Sequence, residues 1–229
     1  TMNKIIKSLE KGLIVSCQAR PGNPLRGPEH MAAMAKAAEM GGAVAVRADA
    51  PADISKIKKR ISIPVIGIYK TTPSKDIPYI TPDFEHAADI AKCGVEIIAL
   101  DATLRNRPDG TDLKELIPRI KEELGTLVMA DIATLEEGVA AAKAGADLVA
   151  TTLSGYTSYT ALTKGPDLKL IRNLKESINV PVIAEGRFTS PEDMAEGFKA
   201  GAYAIVIGKA ITNIEFSTRR FIQETNLLI

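Results

Sequence analysis

The stretch VPVIAEGRFTSPEDMAEGFKAGAYAIVIGKAI, residues 180–211, holds two short apolar runs on either side of one helical pattern. The runs at 182–185 and 204–207 are rich in Val, Ile and Ala, which predicts two buried strands. Between them, Thr189 or Ser190 can cap a helix whose first turn carries acidic residues. The stretch therefore predicts a strand, helix, strand unit with parallel strands.

Each of these two strands is followed by a glycine beside a cation, Gly186-Arg187 after the first and Gly208-Lys209 after the second. Glycine lets backbone amides approach an anion, and a following helix N-terminus adds partial positive charge. In eight-stranded βα barrels the loops after strands seven and eight form such a phosphate site. One such glycine alone is usually a plain turn, but the pair predicts phosphate binding at these four residues.

Eight apolar segments alternate with helical patterns along the chain, and the phrases AKCGVEIIAL, AKAGADLVAT and FKAGAYAIVI repeat the same helix, glycine turn and strand. The predicted strands are 13–18, 43–47, 65–69, 97–101, 127–131, 148–152, 182–185 and 204–207. An open doubly wound sheet shares such buried parallel strands. The count of eight, a length near the ~250 residues typical of the barrel, and no GxGxxG after the first strand favour a (β/α)8 TIM barrel.

Composition predicts one domain spanning residues 1–229, because 45% of the residues are hydrophobic, enough for one large core, and no linker divides the chain. The 29 basic and 28 acidic residues nearly balance, and no basic run is present. This argues against nucleic acid or an anionic membrane surface as partner. With no signal peptide and no apolar segment of about eighteen residues, we expect a cytoplasmic protein whose Cys17 and Cys93 stay reduced.

Polar residues end nearly every predicted strand, where a barrel enzyme has its active site. They are Gln18, Arg47, Lys70, Asp101, Asp131, Thr152, Glu185 and Gly208. One such residue alone is a solvated strand end or a helix cap. Packing of apolar strands does not require polar residues at the ends of successive strands. The set therefore predicts an active or binding site at the C-terminal end of the barrel.

Lys70 and Glu185 carry the acid/base potential of this set. They end strands three and seven, which lie opposite each other in a closed eight-stranded barrel, so both can flank one small substrate. A lysine acts as a base only when its pKa falls from ~10.4, by burial or by a neighbouring cation such as Arg47. The alternative for Lys70 is an ordinary surface lysine.

Seven motifs, in order along the strand ends, resemble those of the N-acetylmannosamine-6-phosphate 2-epimerases. They are SCQARPGNPL (16–25), AVRAD (45–49), GIYK (67–70), DATLRNRPDG (101–110), MADI (129–132), TTLSGYT (151–157) and AEGR (184–187). The resemblance covers about residues 13–211. It implies a (β/α)8 barrel that interconverts N-acetylmannosamine 6-phosphate and N-acetylglucosamine 6-phosphate in sialic acid or amino-sugar catabolism, without metal or organic cofactor.

Carried over motif by motif, the resemblance makes Lys70 of GIYK and Glu185 of AEGR catalytic. It implies substrate contacts at Gln18, Arg47, Asp131 and Arg187, to which the strand-end pattern adds Thr152, and phosphate contacts at Gly186, Arg187, Gly208 and Lys209. Lys209 stands where relatives commonly carry arginine, so its contact is a point charge instead of a bidentate pair.

These residues suit removal of the C2 proton from an open-chain 2-acetamido sugar. Lys70 would remove and return the proton, while Glu185 would orient hydroxyls and assist proton movement. Arg47 and Gln18 would stabilise negative charge on oxygen, and a preorganised donor there is worth ~3 kcal/mol. Asp131 would bind hydroxyl or amide groups.

Several remaining features receive structural or accessory interpretations. His30 and His86 lack metal-ligand spacing. The loops at 20–28 and 154–166 are long enough to cover a site. The last helix, 213–224, has more apolar surface than a covering helix needs, so it packs either on its own barrel or across a dimer. Dimers are common in the resembled family, so we expect a homodimer.

Three other functions stay open at this point. Lys70 could form a Schiff base in an aldolase of phosphorylated sugar acids. A phosphate-binding barrel could be an isomerase or synthase of histidine, tryptophan or thiamine biosynthesis, which the motifs disfavour. A non-catalytic phosphosugar-binding barrel is the third.

Overall fold

Eight parallel strands close into a barrel in the order in which they occur along the chain, as the computed structural model, which describes residues 2–72 and 74–225, shows. The strands are β1 Leu13–Cys17, β2 Ala45–Asp49, β3 Val65–Ile68, β4 Ile97–Asp101, β5 Leu127–Asp131, β6 Leu148–Ala150, β7 Val182–Glu185 and β8 Ala204–Ile207. The last strand pairs with the first, Leu13 facing Ile205. The predicted (β/α)8 barrel is confirmed.

The predicted bounds of β4, β5, β7 and β8 are those observed, whereas β2 was predicted two residues too early. Ala43 does not belong to the strand, because its N–H donates to the carbonyl of Ala38 and closes the end of the preceding helix. Arg47 is therefore in the middle of β2 and Asp49 ends it. Strand β6 is shorter than predicted, and Thr152 lies beyond it.

Helices alternate with the strands, and most of them cover the outside of the barrel. They are α1 Lys4–Ser8, α2 Pro28–Met40, α3 Pro51–Lys58, α4 Phe84–Ala91, α5 Leu113–Leu124, α6 Leu135–Lys143, α7 Leu168–Ser177, α8 Pro191–Lys199, α9 Lys209–Thr212 and α10 Ile214–Glu224. Of the two caps proposed for α8, Ser190 is the one used, in a capping box with Asp193. Within the described residues, no helix has the length and apolarity needed to span a membrane.

The apolar core has two layers, one inside the barrel and one between the strands and the helices. The outer layer packs so closely that a Cβ on Gly67 would lie 2.5 Å from Ile90 of α4. At the N-terminal end of the strands, Ile6 and Leu9 of the first segment are buried against the inner layer. Apolar side chains fill that end of the barrel. The polar residues therefore lie at the other end, where the strands have their C-termini.

Candidate active site

Arg47 connects two carboxylates at the C-terminal mouth of the barrel. Its Nη1 and Nη2 donate to the two oxygens of Asp131 at 2.9 and 2.5 Å, and Nη1 also donates to Glu185 at 2.8 Å. Arg47 is 1% exposed and Asp131 0%, whereas Glu185 retains 16% exposure. The inward direction of Arg47 follows from its position in the middle of β2, where alternate side chains face the barrel interior.

Thr152 completes this network from the segment after β6. Its hydroxyl lies 2.6 Å from Oδ1 of Asp131 and 3.2 Å from Oε2 of Glu185. Thr152, Asp131, Glu185 and Arg47 therefore form one connected group from four different strands or strand ends. A network held by several strands keeps its geometry when a substrate enters.

Lys70 lies two residues beyond β3 and has a separate set of partners. Its Nζ donates to Oε1 of Gln18 at 2.5 Å, and Nε2 of Gln18 donates to the hydroxyl of Ser16 at 2.8 Å. Its backbone N–H donates to Oδ1 of Asp49 at 2.9 Å. The side chain is thus anchored by a neutral amide, and no carboxylate of residues 2–72 or 74–225 is hydrogen-bonded to its amine.

Burial lowers the pKa of Lys70 below the ordinary 10.5, and the positive charge of Arg47 acts in the same direction. The negative charges of Asp49, Glu185 and Asp131 oppose this shift. The net direction increases the fraction of neutral amine near neutral pH. A neutral amine is the form that can accept a proton.

Burial also raises the pKa of Glu185, where the charge of Asp131 adds to the effect and those of Arg47 and Lys70 oppose it. For Arg47 burial disfavours the charged form, but Asp131 and Glu185 outweigh it and raise its pKa. Arg47 therefore remains a permanent cation. Glu185 is a carboxyl whose proton affinity is increased, as general acid/base groups require.

The predicted phosphate-binding residues lie in two turns at the ends of β7 and β8. Gly186 has φ +113° and Arg187 φ +62°, and Gly208 precedes the first turn of α9. In the described part of the chain, the backbone N–H groups of Gly186, Arg187 and Lys209 donate to no other residue. They are free to bind an anion from outside.

The guanidinium of Arg187 is bound to the loop between β6 and α7. Its Nε donates to the carbonyl of Gly165 at 2.7 Å, its Nη1 to that of Ser154 at 2.6 Å, and its Nη2 to the hydroxyl of Thr163 at 3.1 Å. The side chain predicted to hold substrate and phosphate thus also holds the loop 154–166 in place. The sequence carries no local signal for this second set of contacts.

Asp101 differs from the expectation that its side chain faces the mouth. It is fully buried and binds the hydroxyl of Thr103 at 2.7 Å and Nη2 of Arg105 at 2.5 Å. Arg105 in turn donates to the carbonyl of Ser74 at 3.0 Å and to that of Ile77 at 3.2 Å. Asp101 therefore holds a loop, because Arg105, the first of the two arginines of DATLRNRPDG, folds back onto its carboxylate.

Four residues near the site were missed by sequence reasoning. Asp49 was missed because β2 was placed two residues early, although it stands in the motif AVRAD. Tyr79 packs on the inner core, and the pKa of its phenol is raised by burial and by the charges of Asp101 and Asp131. Thr81 and Thr151 are buried threonines that bind the backbone beside Lys70 and at Glu185.

No group of three or more His, Cys, Asp or Glu side chains that could hold a metal ion occurs within residues 2–72 and 74–225.

A sequence profile and several known proteins similar to this chain carry the name of one enzyme. The sequence profile described as "Putative N-acetylmannosamine-6-phosphate epimerase" matches residues 31–227. A protein of Caldanaerobacter subterraneus subsp. tengcongensis described as "Putative N-acetylmannosamine-6-phosphate 2-epimerase" is 52% identical over 219 residues, 95% of this chain and 92% of that protein. A protein of Cutibacterium acnes with the same description is 48% identical over 213 residues, 92% of each chain.

The solved structure of the N-acetylmannosamine-6-phosphate 2-epimerase from Clostridium perfringens is also similar to this chain. It superposes with a TM-score of 0.92 at 41% sequence identity, and the match covers 100% of this chain and 98% of that one.

Proposed function

This chain belongs to the N-acetylmannosamine-6-phosphate epimerase family, and on that premise we propose that it interconverts N-acetylmannosamine 6-phosphate and N-acetylglucosamine 6-phosphate in the catabolism of sialic acid and amino sugars. The observation that carries the proposal is one arrangement at the barrel mouth. A partly buried lysine of lowered pKa, Lys70, lies in the field of Glu185, and that carboxylate is bound to the permanent cation Arg47. The proposed proton transfer uses only protein side chains.

The reaction inverts C2 of a 2-acetamido sugar. In the open-chain form C2 lies next to the C1 aldehyde, so loss of its proton leaves a charge that spreads onto oxygen as an enediolate. We assign proton removal to Lys70, because burial lowers the pKa of its amine and, among the described residues, that amine is hydrogen-bonded to the neutral amide of Gln18 alone. Return of the proton to the opposite face gives the epimer.

Glu185 is assigned to proton movement and to the sugar hydroxyls. Burial raises its pKa, which suits a carboxyl that accepts and releases a proton. Its partial exposure at the mouth leaves room for a bound sugar.

Arg47 and Gln18 are assigned to stabilise negative charge on the enediolate oxygen. Three of the five N–H groups of Arg47 donate to the two carboxylates, so one Nη2–H and the buried Nε–H remain without a partner among residues 2–72 and 74–225. A preorganised donor that meets a developing oxyanion contributes about 3 kcal/mol. Asp131 and Thr152 are assigned to hydroxyl or amide groups of the substrate.

The phosphate is assigned to the two turns at the ends of β7 and β8. The free N–H groups of Gly186, Arg187 and Lys209 support this assignment, since an anion satisfies such donors. Gly208 permits close approach, and the side chains of Arg187 and Lys209 add positive charge. The phosphate would then fix the sugar with C2 toward the centre of the mouth.

We also propose a cytoplasmic homodimer that uses α10. Every residue of this helix is at least partly exposed, and Ile214, Phe221 and Ile222 are 64%, 67% and 40% exposed. A groove of about 310 Å³ between β1, α2 and α9, lined by Val15 and Met34 among others, is apolar as well. Such surface on one helix supports a contact between two copies.

Light scattering of the wild type and of Phe221→Lys tests the oligomeric state. We expect a dimeric wild type and a monomeric variant, and a monomeric wild type would contradict the proposal.

The function is tested by proton NMR of N-acetylmannosamine 6-phosphate incubated with the protein in deuterium oxide. We expect the glucosamine epimer to appear with deuterium at C2. Substrate left unchanged at C2 would overturn the proposal. In that case borohydride reduction with substrate present distinguishes an aldolase, which leaves a covalent adduct on Lys70, from a protein that only binds the phosphosugar.

A further inference from the structure

The barrel ladder ends below Lys70 on both sides. Strand β3 pairs with β2 as far as Ile68 opposite Asp49, and with β4 only as far as Gly67 opposite Ile98. Lys70 therefore lies beyond the last pair on either neighbour. A side chain at such a position is not oriented by the sheet itself.

The segment 79–81 returns antiparallel and fills the gap between the ends of β3 and β4. Ile80 bridges to Lys70, and its carbonyl accepts from the N–H of Asp101 at 2.8 Å. The carbonyl of Tyr79 accepts from the N–H of Thr71 at 2.9 Å. The backbone on both sides of Lys70 is thus bound to this segment.

Thr81 makes the connection at the residue immediately before Lys70. Its hydroxyl accepts from the N–H of Tyr69 at 3.0 Å and donates to the carbonyl of Ala99 at 2.7 Å, and its own N–H donates to the carbonyl of Tyr69 at 2.7 Å. Thr81 is fully buried and has φ +45°, a conformation that is rare for a β-branched residue. Such strain persists only where surrounding contacts impose it, and it concentrates at functional sites.

Thr151 occupies an equivalent place on the opposite wall of the barrel. Strands β6 and β7 pair only as far as Ala150 opposite Ile183, so Glu185 lies beyond the last pair on that side. The hydroxyl of Thr151 donates to the carbonyl of Glu185 at 2.9 Å and accepts from its N–H at 3.1 Å. Thr151 is 2% exposed.

We propose that Thr81 and Thr151 are positioning residues, whose hydroxyls replace the missing ladder hydrogen bonds and hold the backbone at Lys70 and Glu185 in the geometry that proton transfer at C2 requires. The inference rests on the proposed epimerase function. A hydroxyl is suited to this role because it donates and accepts through one atom, so it can satisfy two backbone groups where the strands separate. Neither threonine needs to touch the substrate.

The experiment compares Thr81→Val, which keeps the shape and removes the hydroxyl, with Thr81→Ser, which keeps the hydroxyl, and repeats the pair at Thr151. Deuterium incorporation at C2 is followed by NMR at several substrate concentrations. We expect each valine variant to lower kcat by about 10- to 100-fold, the effect of a small misplacement of a reacting group. We expect KM to change little and each serine variant to recover most of kcat.

The control is Thr126→Val. The hydroxyl of Thr126 is buried without a hydrogen-bond partner among the described residues, and this residue stands just before β5, at the end of the barrel away from the site. This variant should keep wild-type kcat. Circular dichroism and thermal unfolding establish that each variant is folded at the assay temperature. If a valine variant does not fold, Thr81→Ala or Thr151→Ala, which removes the hydroxyl with less bulk, takes its place.

Folded variants without the hydroxyl that keep wild-type kcat would overturn the proposal, as would serine variants no more active than the valine variants. A loss seen only in KM would also overturn it, because that would indicate a role in binding. These results differ from failure of the proposed function, in which the wild type itself incorporates no deuterium.

Discussion

Nη1 of Arg47 lies 2.8 Å from Oε2 of Glu185, although 138 residues separate the two in the chain. The same guanidinium holds both oxygens of Asp131. One buried cation on β2 therefore orients two carboxylates, which stand at the ends of β5 and β7. Because its pKa is raised further by both partners, Arg47 cannot exchange protons and serves as a fixed charge against which Lys70 and Glu185 titrate.

Replacing Lys70 by alanine should abolish turnover and leave phosphosugar binding largely intact. A positioned general base contributes about 10²- to 10⁴-fold, and the phosphate turns are not touched by this change. Single-turnover deuterium exchange and calorimetric titration with substrate measure the two effects. Normal exchange in the variant would remove Lys70 from the mechanism.

The pH dependence of kcat/KM should show an acid limb set by Lys70. Activity requires the neutral amine, so it falls as pH drops through the pKa of Lys70, which burial places below 10.5. The charge of Asp49 raises this pKa, and Asp49→Asn keeps an oxygen that can accept from the backbone N–H of Lys70. The limb of this variant should therefore move to lower pH; a shift to higher pH would contradict the assignment.

Arg47→Met should destabilise the fold by about 3 to 5 kcal/mol, because it leaves the buried Asp131 and the partly buried Glu185 without their cation. Urea unfolding monitored by circular dichroism measures the change. Arg219→Ala, which removes an exposed pair with Glu215 on α10, is the control and should change little. Equal stability of the two variants would show that the buried pair does not support the fold.

Tyr159→Phe should loosen the loop between β6 and α7. The phenol donates to Oε1 of the fully buried Glu137, and burial together with that carboxylate raises the pKa of Tyr159 to about 12, so it stays a donor. Amide hydrogen exchange across 154–166 should become faster. Tyr156→Phe is the matched control, since within the described residues its hydroxyl has no partner and its ring still faces Arg187. Unchanged exchange in Tyr159→Phe would show that the hydrogen bond from Tyr159 to Glu137 does not hold this loop.

The two cysteines should react very differently with iodoacetamide. Cys17 is fully buried, and burial raises the pKa of its thiol to about 12, so almost no thiolate forms near neutral pH. Cys93 is partly exposed. Mass spectrometry should find one label, on Cys93, in the folded protein and two after denaturation. Labelling of Cys17 in the folded state would show that β1 opens.

The barrel itself was predictable because its signals are local. A buried strand, a capped helix and a glycine turn each occupy a few consecutive residues, and eight repeats of the unit leave few other topologies. The bounds of β4, β5, β7 and β8 followed directly. Strand β2 was placed wrongly because Ala43 is apolar, as a strand residue would be, yet its N–H closes α2.

The candidate site was only partly predictable. The sequence alone determined which polar side chains stand near strand ends, since covalent order and periodicity place Lys70, Glu185 and Asp131 there. Tertiary structure decided which of them bind one another, that Asp101 is used by Arg105, and that Thr81 and Thr151 complete the ladder. The physical reason is the sequence distance over which each effect acts. A secondary-structure propensity depends on a few neighbouring residues. A hydrogen bond between distant residues exists only once the closed barrel brings its two atoms within about 3 Å.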